Sequence, residues 1–125
     1  MKFLHTCVRV KNLEKSERFY KEMLGFIESS RKDFPKDKFT LLYLKLPNSD
    51  YELELTYNYD RQKPYELGDG YGHIAISNED IKSFREELLQ KGCEVTELSG
   101  LSDGGANYFF VKDPDGYKIE IIQEK

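Results

Sequence analysis

The sequence predicts an α+β fold in which a strand–helix–strand pattern occurs twice. Two segments have the apolar spacing that is typical of amphipathic helices, and the segments around them alternate like strands. A histidine, a helix-ending glycine and a glutamate-bearing strand each recur at an offset of 66 to 68 residues, which indicates an internal repeat. The 125 residues are therefore expected to form a single domain, residues 1–125, built from half-modules at about 1–60 and 71–125.

The two predicted helices begin and end on recognisable residues. The first spans Asn12–Leu24, with its first residue as the N-cap and Gly25 as the residue that ends it. The second spans about Asp80–Lys91, with Asn78 or the first residue as its cap and Gly92 after it. Apolar residues in both segments repeat at helical spacing, so each helix has one face for a core.

Six further segments have the alternating pattern of strands. They are Phe3–Val10, Phe39–Leu46, Tyr51–Asn58, Tyr71–Ser77, Tyr108–Lys112 and Tyr117–Glu124. A turn is predicted at Asp113–Gly116, because its proline presets one backbone angle and its glycine accepts a positive φ. The polar segment Arg61–Gly70 is predicted to connect the two halves.

Composition excludes several classes of function. Acidic residues outnumber basic ones, 23 against 19, which gives a net charge of −4, so neither nucleic acid nor a membrane surface is an expected partner. No apolar run is long enough to span a bilayer, and the N-terminal residues lack the apolar core of a signal peptide. Two cysteines are too few for a disulfide framework. We therefore expect a cytoplasmic protein.

Both histidines of the chain occupy equivalent places in the repeat, as do two glutamates. Side chains alternate across a strand, so His5, Glu54, His73 and Glu120 lie on the faces opposite the apolar residues of their strands. Two imidazoles and two carboxylates without a thiolate are a ligand set for Ni²⁺, Co²⁺, Mn²⁺, Fe²⁺ or Zn²⁺. Taken singly, each is an ordinary surface residue; the repeat favours a metal site. Cys7, on the face of His5, is either a neighbour of that site or a small buried thiol.

Several segments together resemble a known enzyme family, glyoxalase I of the vicinal oxygen chelate superfamily. They are His5–Val10, Phe19-Tyr20, Leu24-Gly25, Glu54–Asn58, Tyr65–Gly68, Tyr71–Ala75 and Asp113–Glu120. The resemblance covers nearly the whole chain and implies paired βαβββ modules whose curved mixed sheets surround a metal site. It also implies a homodimer.

The resemblance implies a role for each of the four residues. As in the family, the metal would be bound by His5, Glu54, His73 and Glu120. In family members with short chains and a histidine at the first ligand position the metal is nickel or cobalt, so one of these is expected here, with zinc as the alternative. The family isomerises the hemithioacetal of methylglyoxal and glutathione to S-D-lactoylglutathione through a metal-bound enediolate. Glu120 would move the proton, with Glu54 across the site as the second catalytic carboxylate.

The resemblance also implies a thiol-binding region. Arg9 and Asn58 match positions that hold the γ-glutamyl end of glutathione, roughly 13 Å along their strands from the ligands. Asp103 occupies a position where many relatives carry a lysine, and Asp69 occupies one that is basic in some relatives. Because glutathione is anionic, two acids there are expected to weaken its binding, so the co-substrate is glutathione or another thiol.

Three other functions of the same fold are alternatives. An acyl-CoA epimerase would also form a metal-stabilised enolate, but no basic cluster for the coenzyme A phosphates is evident. An extradiol dioxygenase would use two histidines and one glutamate for iron, on a longer chain. A metal-free binding module would not need the full set of four ligands, which this chain keeps.

Overall fold

Strands form two mixed sheets in the computed structural model, which describes residues 1–100, 102 and 107–125. The predicted α+β class is confirmed. The chain divides into two units, Met1–Glu66 and Leu67–Lys125.

The first unit contains a four-stranded sheet. Its elements are β1 (His5–Arg9), α1 (Leu13–Arg18), a π-helical turn (Phe19–Met23), β2 (Ile27–Phe34), β3 (Phe39–Lys45) and β4 (Glu52–Asn58). The strand order is β1-β4-β3-β2. Strands β1 and β4 are parallel, and the other neighbours are antiparallel.

The second unit repeats this plan with fewer strands. Its elements are β5 (Ile74–Asn78), α2 (Ile81–Gln90), β6 (Tyr108–Lys112) and β7 (Lys118–Gln123), and the strand order is β5-β7-β6. Strands β5 and β7 are parallel, as β1 and β4 are. Next to β6, where the first unit has β2, Val95 and Ser99 form isolated bridges to Val111 and Tyr108. The repeat therefore extends to the parallel pairing of the first and last strands.

Both helices begin as the sequence predicts. The Asn12 side chain accepts a hydrogen bond from the backbone N–H of Lys15 at 3.0 Å, and Asp80 caps α2 through the N–H of Ser83 at 3.2 Å. Each helix is followed by a glycine with a positive φ, 80° at Gly25 and 84° at Gly92, which favours glycine. The change to a π-helical turn after α1 was not predicted.

Each unit buries its own apolar residues. In the first unit they are Val8, Val10, Phe19, Tyr20, Leu24, Phe26, Leu42, Leu44, Leu53 and Leu55. In the second they are Ile81, Leu88, Phe109, Val111, Tyr117, Ile119 and Ile121. Alternation along the strands leaves the opposite face for polar residues, and that face carries the candidate ligands.

Strand β2 is the element that the sequence pattern missed. Residues 27–33 are exposed and Phe34 is half-buried, because β2 lies at the edge of its sheet. The alternation that predicts a strand comes from burying one face, and most of β2 is polar or charged on both faces. A β-bulge between Glu28 and Ser30 interrupts its pairing with β3.

Among residues 1–100, 102 and 107–125, no helix has the length and apolar character needed to cross a membrane.

Candidate metal centre

Each unit brings one histidine and one glutamate together by the same strand register. In the first unit Glu54 pairs with Cys7, two residues after His5. In the second unit Glu120 pairs with Ala75, two residues after His73. Residues two apart lie on one face of a strand, so both pairs form by parallel pairing of a first and a last strand. His73 itself precedes β5 by one residue, whereas the predicted strand began at Tyr71.

The two pairs have similar distances and exposure. His5 Nε2 lies 3.2 Å from Glu54 Oε2, and His73 Nε2 lies 3.7 Å from Glu120 Oε1. The glutamate side chains are only 11% and 18% exposed, while the imidazoles are 34% and 42% exposed. Each unit therefore presents a sheltered carboxylate beside an accessible imidazole.

An aromatic ring packs against each histidine from the strand that pairs antiparallel with the glutamate-bearing strand. Tyr43 meets His5 edge-on with the ring centroids 5.5 Å apart, and Phe110 meets His73 edge-on at 5.4 Å. Tyr43 is the register partner of Glu54, and Phe110 is that of Glu120. These two rings were not identified from the sequence, although the 67-residue offset between them would have indicated their equivalence.

Glu54 is held by hydrogen bonds from three side chains. The Thr56 hydroxyl donates to Glu54 Oε1 at 2.9 Å, and Tyr43 and Cys7 also donate to this carboxylate. Burial alone raises the pKa of Glu54, but these hydrogen bonds and the nearby His5 outweigh burial and lower it below its usual value. In turn, the hydrogen bond to Glu54 raises the pKa of Tyr43 to about 12.

Cys7 belongs to this group of hydrogen-bonded residues. The residue is exposed, although its thiol is partly shielded from solvent, and the thiol lies 3.2 Å from the Thr56 hydroxyl oxygen. Partial burial is the largest cause that raises the pKa of the Cys7 thiol, so the neutral thiol, which can donate a hydrogen bond, predominates at neutral pH. Of the two expectations for Cys7, a neighbour of the site fits this position.

Glu120 has different neighbours at the equivalent positions. Where Glu54 has Tyr43, Cys7 and Thr56, the repeat gives Glu120 the residues Phe110, Ala75 and Ile122. None of these three side chains can donate a hydrogen bond. The second carboxylate therefore lacks the three donors that orient the first.

The donor atoms of each pair are compatible with a divalent cation. Two ligand atoms bound to one cation at about 2.1 Å lie roughly 3.0 Å apart at a right angle and about 3.4 Å apart at the tetrahedral angle. The 3.2 Å separation of the first pair falls within this range, and the 3.7 Å separation of the second is slightly wider. In the described part of the chain, no group of three or more His, Cys, Asp or Glu side chains is close enough to hold an ion.

The turn before β7 fixes the strand that carries Glu120. The Asp113 carboxylate accepts hydrogen bonds from the backbone N–H groups of Asp115 and Tyr117, both at 2.9 Å. Gly116 has a φ of 91°, so the turn that the sequence predicts at Asp113–Gly116 is confirmed.

The expected thiol-binding residues lie in the first unit. Arg9 is exposed and pairs in register with Thr56, and the Asn58 amide donates to the Tyr65 hydroxyl at 3.0 Å. Asp69 is exposed in a turn of the second unit. Asp103 lies outside the described residues.

Comparison with known proteins gives the same family from sequence and from structure. The model of the Glyoxalase/Bleomycin resistance protein/Dioxygenase superfamily matches residues 2–121. A lactoylglutathione lyase of Neisseria meningitidis is 43% identical over 128 residues, which cover 100% of this chain and 92% of that protein.

Two solved structures are close in fold as well. The glyoxalase I of Leishmania major, described as trypanothione-dependent, has a TM-score of 0.84 and 38% identity, covering 99% of this chain and 87% of that one. The glyoxalase I of Zea mays has a TM-score of 0.88 and 36% identity over 98% of this chain. This chain spans 44% of the maize protein, less than half its length.

Proposed function

Because the chain belongs to the Glyoxalase/Bleomycin resistance protein/Dioxygenase superfamily, we propose that it has the activity for which its curated relatives are named, that of a lactoylglutathione lyase. It is a carbon–sulfur lyase, and its role is the detoxification of methylglyoxal. The observation that carries this proposal is the His–Glu pair that occurs in both units with the same register. The chain acts as a homodimer, since isologous association is the commonest state of such soluble enzymes.

In the assembled dimer, one divalent cation would be held by His5, Glu54, His73 and Glu120. Imidazole and carboxylate ligands without thiolate suit Ni²⁺ or Co²⁺, with Zn²⁺ as the alternative. When bound, the cation supplies Lewis-acid stabilisation of the negative charge that develops on the two substrate oxygens.

Glu120 moves the proton in the reaction. Its carboxylate takes the proton from C1 of the hemithioacetal and delivers it to C2, which converts the substrate to S-D-lactoylglutathione. A carboxylate that acts as a base needs a lone pair available for the proton. The apolar residues around Glu120 support this role, whereas the donors around Glu54 support its role as a fixed ligand that faces the developing charge.

Arg9 and Asn58 bind the thiol part of the substrate, which is glutathione or a related low-molecular-weight thiol. The acidic Asp69 and Asp103 disfavour an anionic thiol by charge repulsion. Thiol preference varies in the family, since the Leishmania major relative is described as trypanothione-dependent. We therefore expect glutathione to bind more weakly here than in relatives with basic residues at these two positions.

The test is a thioester absorbance assay at 240 nm with methylglyoxal. Chelator-treated protein is supplied with Ni²⁺, Co²⁺ or Zn²⁺ and with glutathione or another thiol. We expect thioester formation that depends on metal, most with Ni²⁺ or Co²⁺, and a matched His5→Ala, His73→Ala double variant without activity. Absence of activity with every metal and thiol would contradict the proposal. A micromolar KM for glutathione, with clear preference for glutathione over other thiols, would contradict the expectation that Asp69 and Asp103 weaken its binding.

A further inference from the structure

A small cavity lies in the second unit beside the His73–Glu120 pair. Its volume is about 230 Å³, and it is lined by Glu94, Val95, Thr96, Phe110, Lys112 and Lys118. Phe110 is the ring that packs against His73, and Lys118 lies two residues before Glu120, on the same face of β7. The cavity is smaller than the roughly 300–1,000 Å³ of whole-ligand pockets, so it suits one end of a larger molecule.

Two lysines face each other across the strands that form this cavity. Lys112 of β6 is the register partner of Lys118 of β7, and like charges directly opposite in a strand pair repel. Glu94 reaches Lys112 at 2.8 Å between Oε2 and Nζ. The Lys118 ammonium makes no ion pair with any residue between 1 and 100, at 102 or between 107 and 125. Within these described residues, one positive charge of the pair therefore has no opposite charge beside it.

The first unit has opposite charges at the equivalent positions. Lys45 directly follows Leu44, and Glu52 directly precedes Leu53, the residue paired with Leu44; these are the places that Lys112 and Lys118 occupy in the second unit. Glu52 also accepts a hydrogen bond from the Ser29 hydroxyl. The repeat thus places a complementary pair in one unit and a repelling pair in the other, and the repelling pair is the one beside a cavity.

The backbone at Lys118 is fixed. The Tyr71 hydroxyl donates to the Lys118 carbonyl oxygen at 3.2 Å, and the Tyr71 and Tyr117 rings pack edge-on with centroids 5.2 Å apart. A fixed backbone with a flexible ammonium above it can meet an anion without the strand moving.

We propose that the Lys112–Lys118 pair binds a carboxylate of the thiol co-substrate. The inference rests on the proposed lyase function and extends it, because it gives the anionic thiol a cationic partner in a chain that has acids at positions 69 and 103. Lys118 provides the charge, and Lys112, already paired with Glu94, contributes less. A bound carboxylate also relieves the repulsion between the two lysines.

The test compares S-methylglutathione with its glycine ethyl ester, which lacks the glycyl charge, by isothermal titration calorimetry on nickel-loaded protein. We expect Lys118→Gln to weaken binding of S-methylglutathione by about threefold to tenfold and to leave binding of the ester unchanged. Lys112→Gln should have a smaller effect on the same ligand. Lys125→Gln, which makes the same charge change at an exposed position, is the matched control.

Two further outcomes separate this inference from the proposed function. Equal weakening of both ligands by Lys118→Gln, or of neither, overturns the carboxylate site. A wild-type protein without lyase activity overturns the proposed function instead. If Lys118→Gln weakens binding of S-methylglutathione but not of its ester, and the wild-type protein has lyase activity, both proposals are supported.

Discussion

The two His–Glu pairs share a register but differ in what surrounds the carboxylate. In the first unit, Glu54 accepts hydrogen bonds from three side chains, and its partner strand carries Tyr43. In the second unit, Phe110 takes the place of Tyr43, and the 3.7 Å His–Glu distance is the longer of the two. The repeated backbone therefore places the two candidate ligands at equivalent positions, while the neighbouring side chains differ in how many hydrogen bonds they donate to each carboxylate.

We expect this difference to give the two glutamates different chemistry. A carboxylate whose lone pairs are occupied by fixed donors stays ionised and oriented. One without such donors can accept a proton and turn away from a cation.

The largest effect is expected at Glu120. Glu120→Gln should lower kcat by about 10²- to 10⁴-fold, because an amide cannot take up the substrate proton, while the protein still binds nickel, though more weakly. Glu54→Gln should act chiefly on nickel affinity. Steady-state kinetics at saturating nickel, with binding measured by calorimetry, compares the two. Wild-type kcat in Glu120→Gln would remove this residue from the base role.

A smaller effect is expected when the first pair is made to resemble the second. Tyr43→Phe removes one donor to Glu54 and should lower nickel affinity by about tenfold, which is the lower end for residues that orient a metal ligand, with little change in kcat at saturating nickel. The matched variant is Phe110→Tyr, which adds a hydroxyl opposite Glu120 and should lower kcat. If Tyr43→Phe binds nickel as tightly as wild type, the hydrogen bond does not orient the ligand.

The smallest effect concerns the two helix caps. Asn12→Ala should cost about 1 kcal/mol at every pH, because an amide does not titrate. The hydrogen bond from the Ser83 backbone N–H is the largest cause that lowers the pKa of Asp80, so the cap formed by Asp80 stabilises the fold above the ordinary pKa of aspartate. That contribution is lost as the pH falls through the lowered value.

Urea unfolding at pH 7 and at acidic pH measures this contrast. The cost of Asp80→Ala should shrink on acidification, whereas the cost of Asn12→Ala should not. A pH-independent cost of Asp80→Ala would mean that its charge plays no part in capping α2.

Repetition in the sequence was enough to predict the class of fold and both helix starts, while the convergence of His5, Glu54, His73 and Glu120 on one cation stays a prediction. It was enough because alternation and caps are local signals, and because two copies of a pattern confirm each other. Strand β2 was missed because an edge strand exposed on both faces has no apolar alternation. Tyr43 and Phe110 were missed because their roles depend on the antiparallel register with β4 and β7, which local patterns do not specify.

The parallel pairing of first and last strands has a consequence for how each unit folds. It joins residues 47 positions apart in the first unit and 45 in the second, so the entropy of closing a long loop is lost before either pair forms. Contacts so distant in sequence slow folding. Metal capture at these pairs is therefore expected late, after the strand carrying the glutamate has docked, and the rate at which nickel is bound by refolding protein would report the completion of folding.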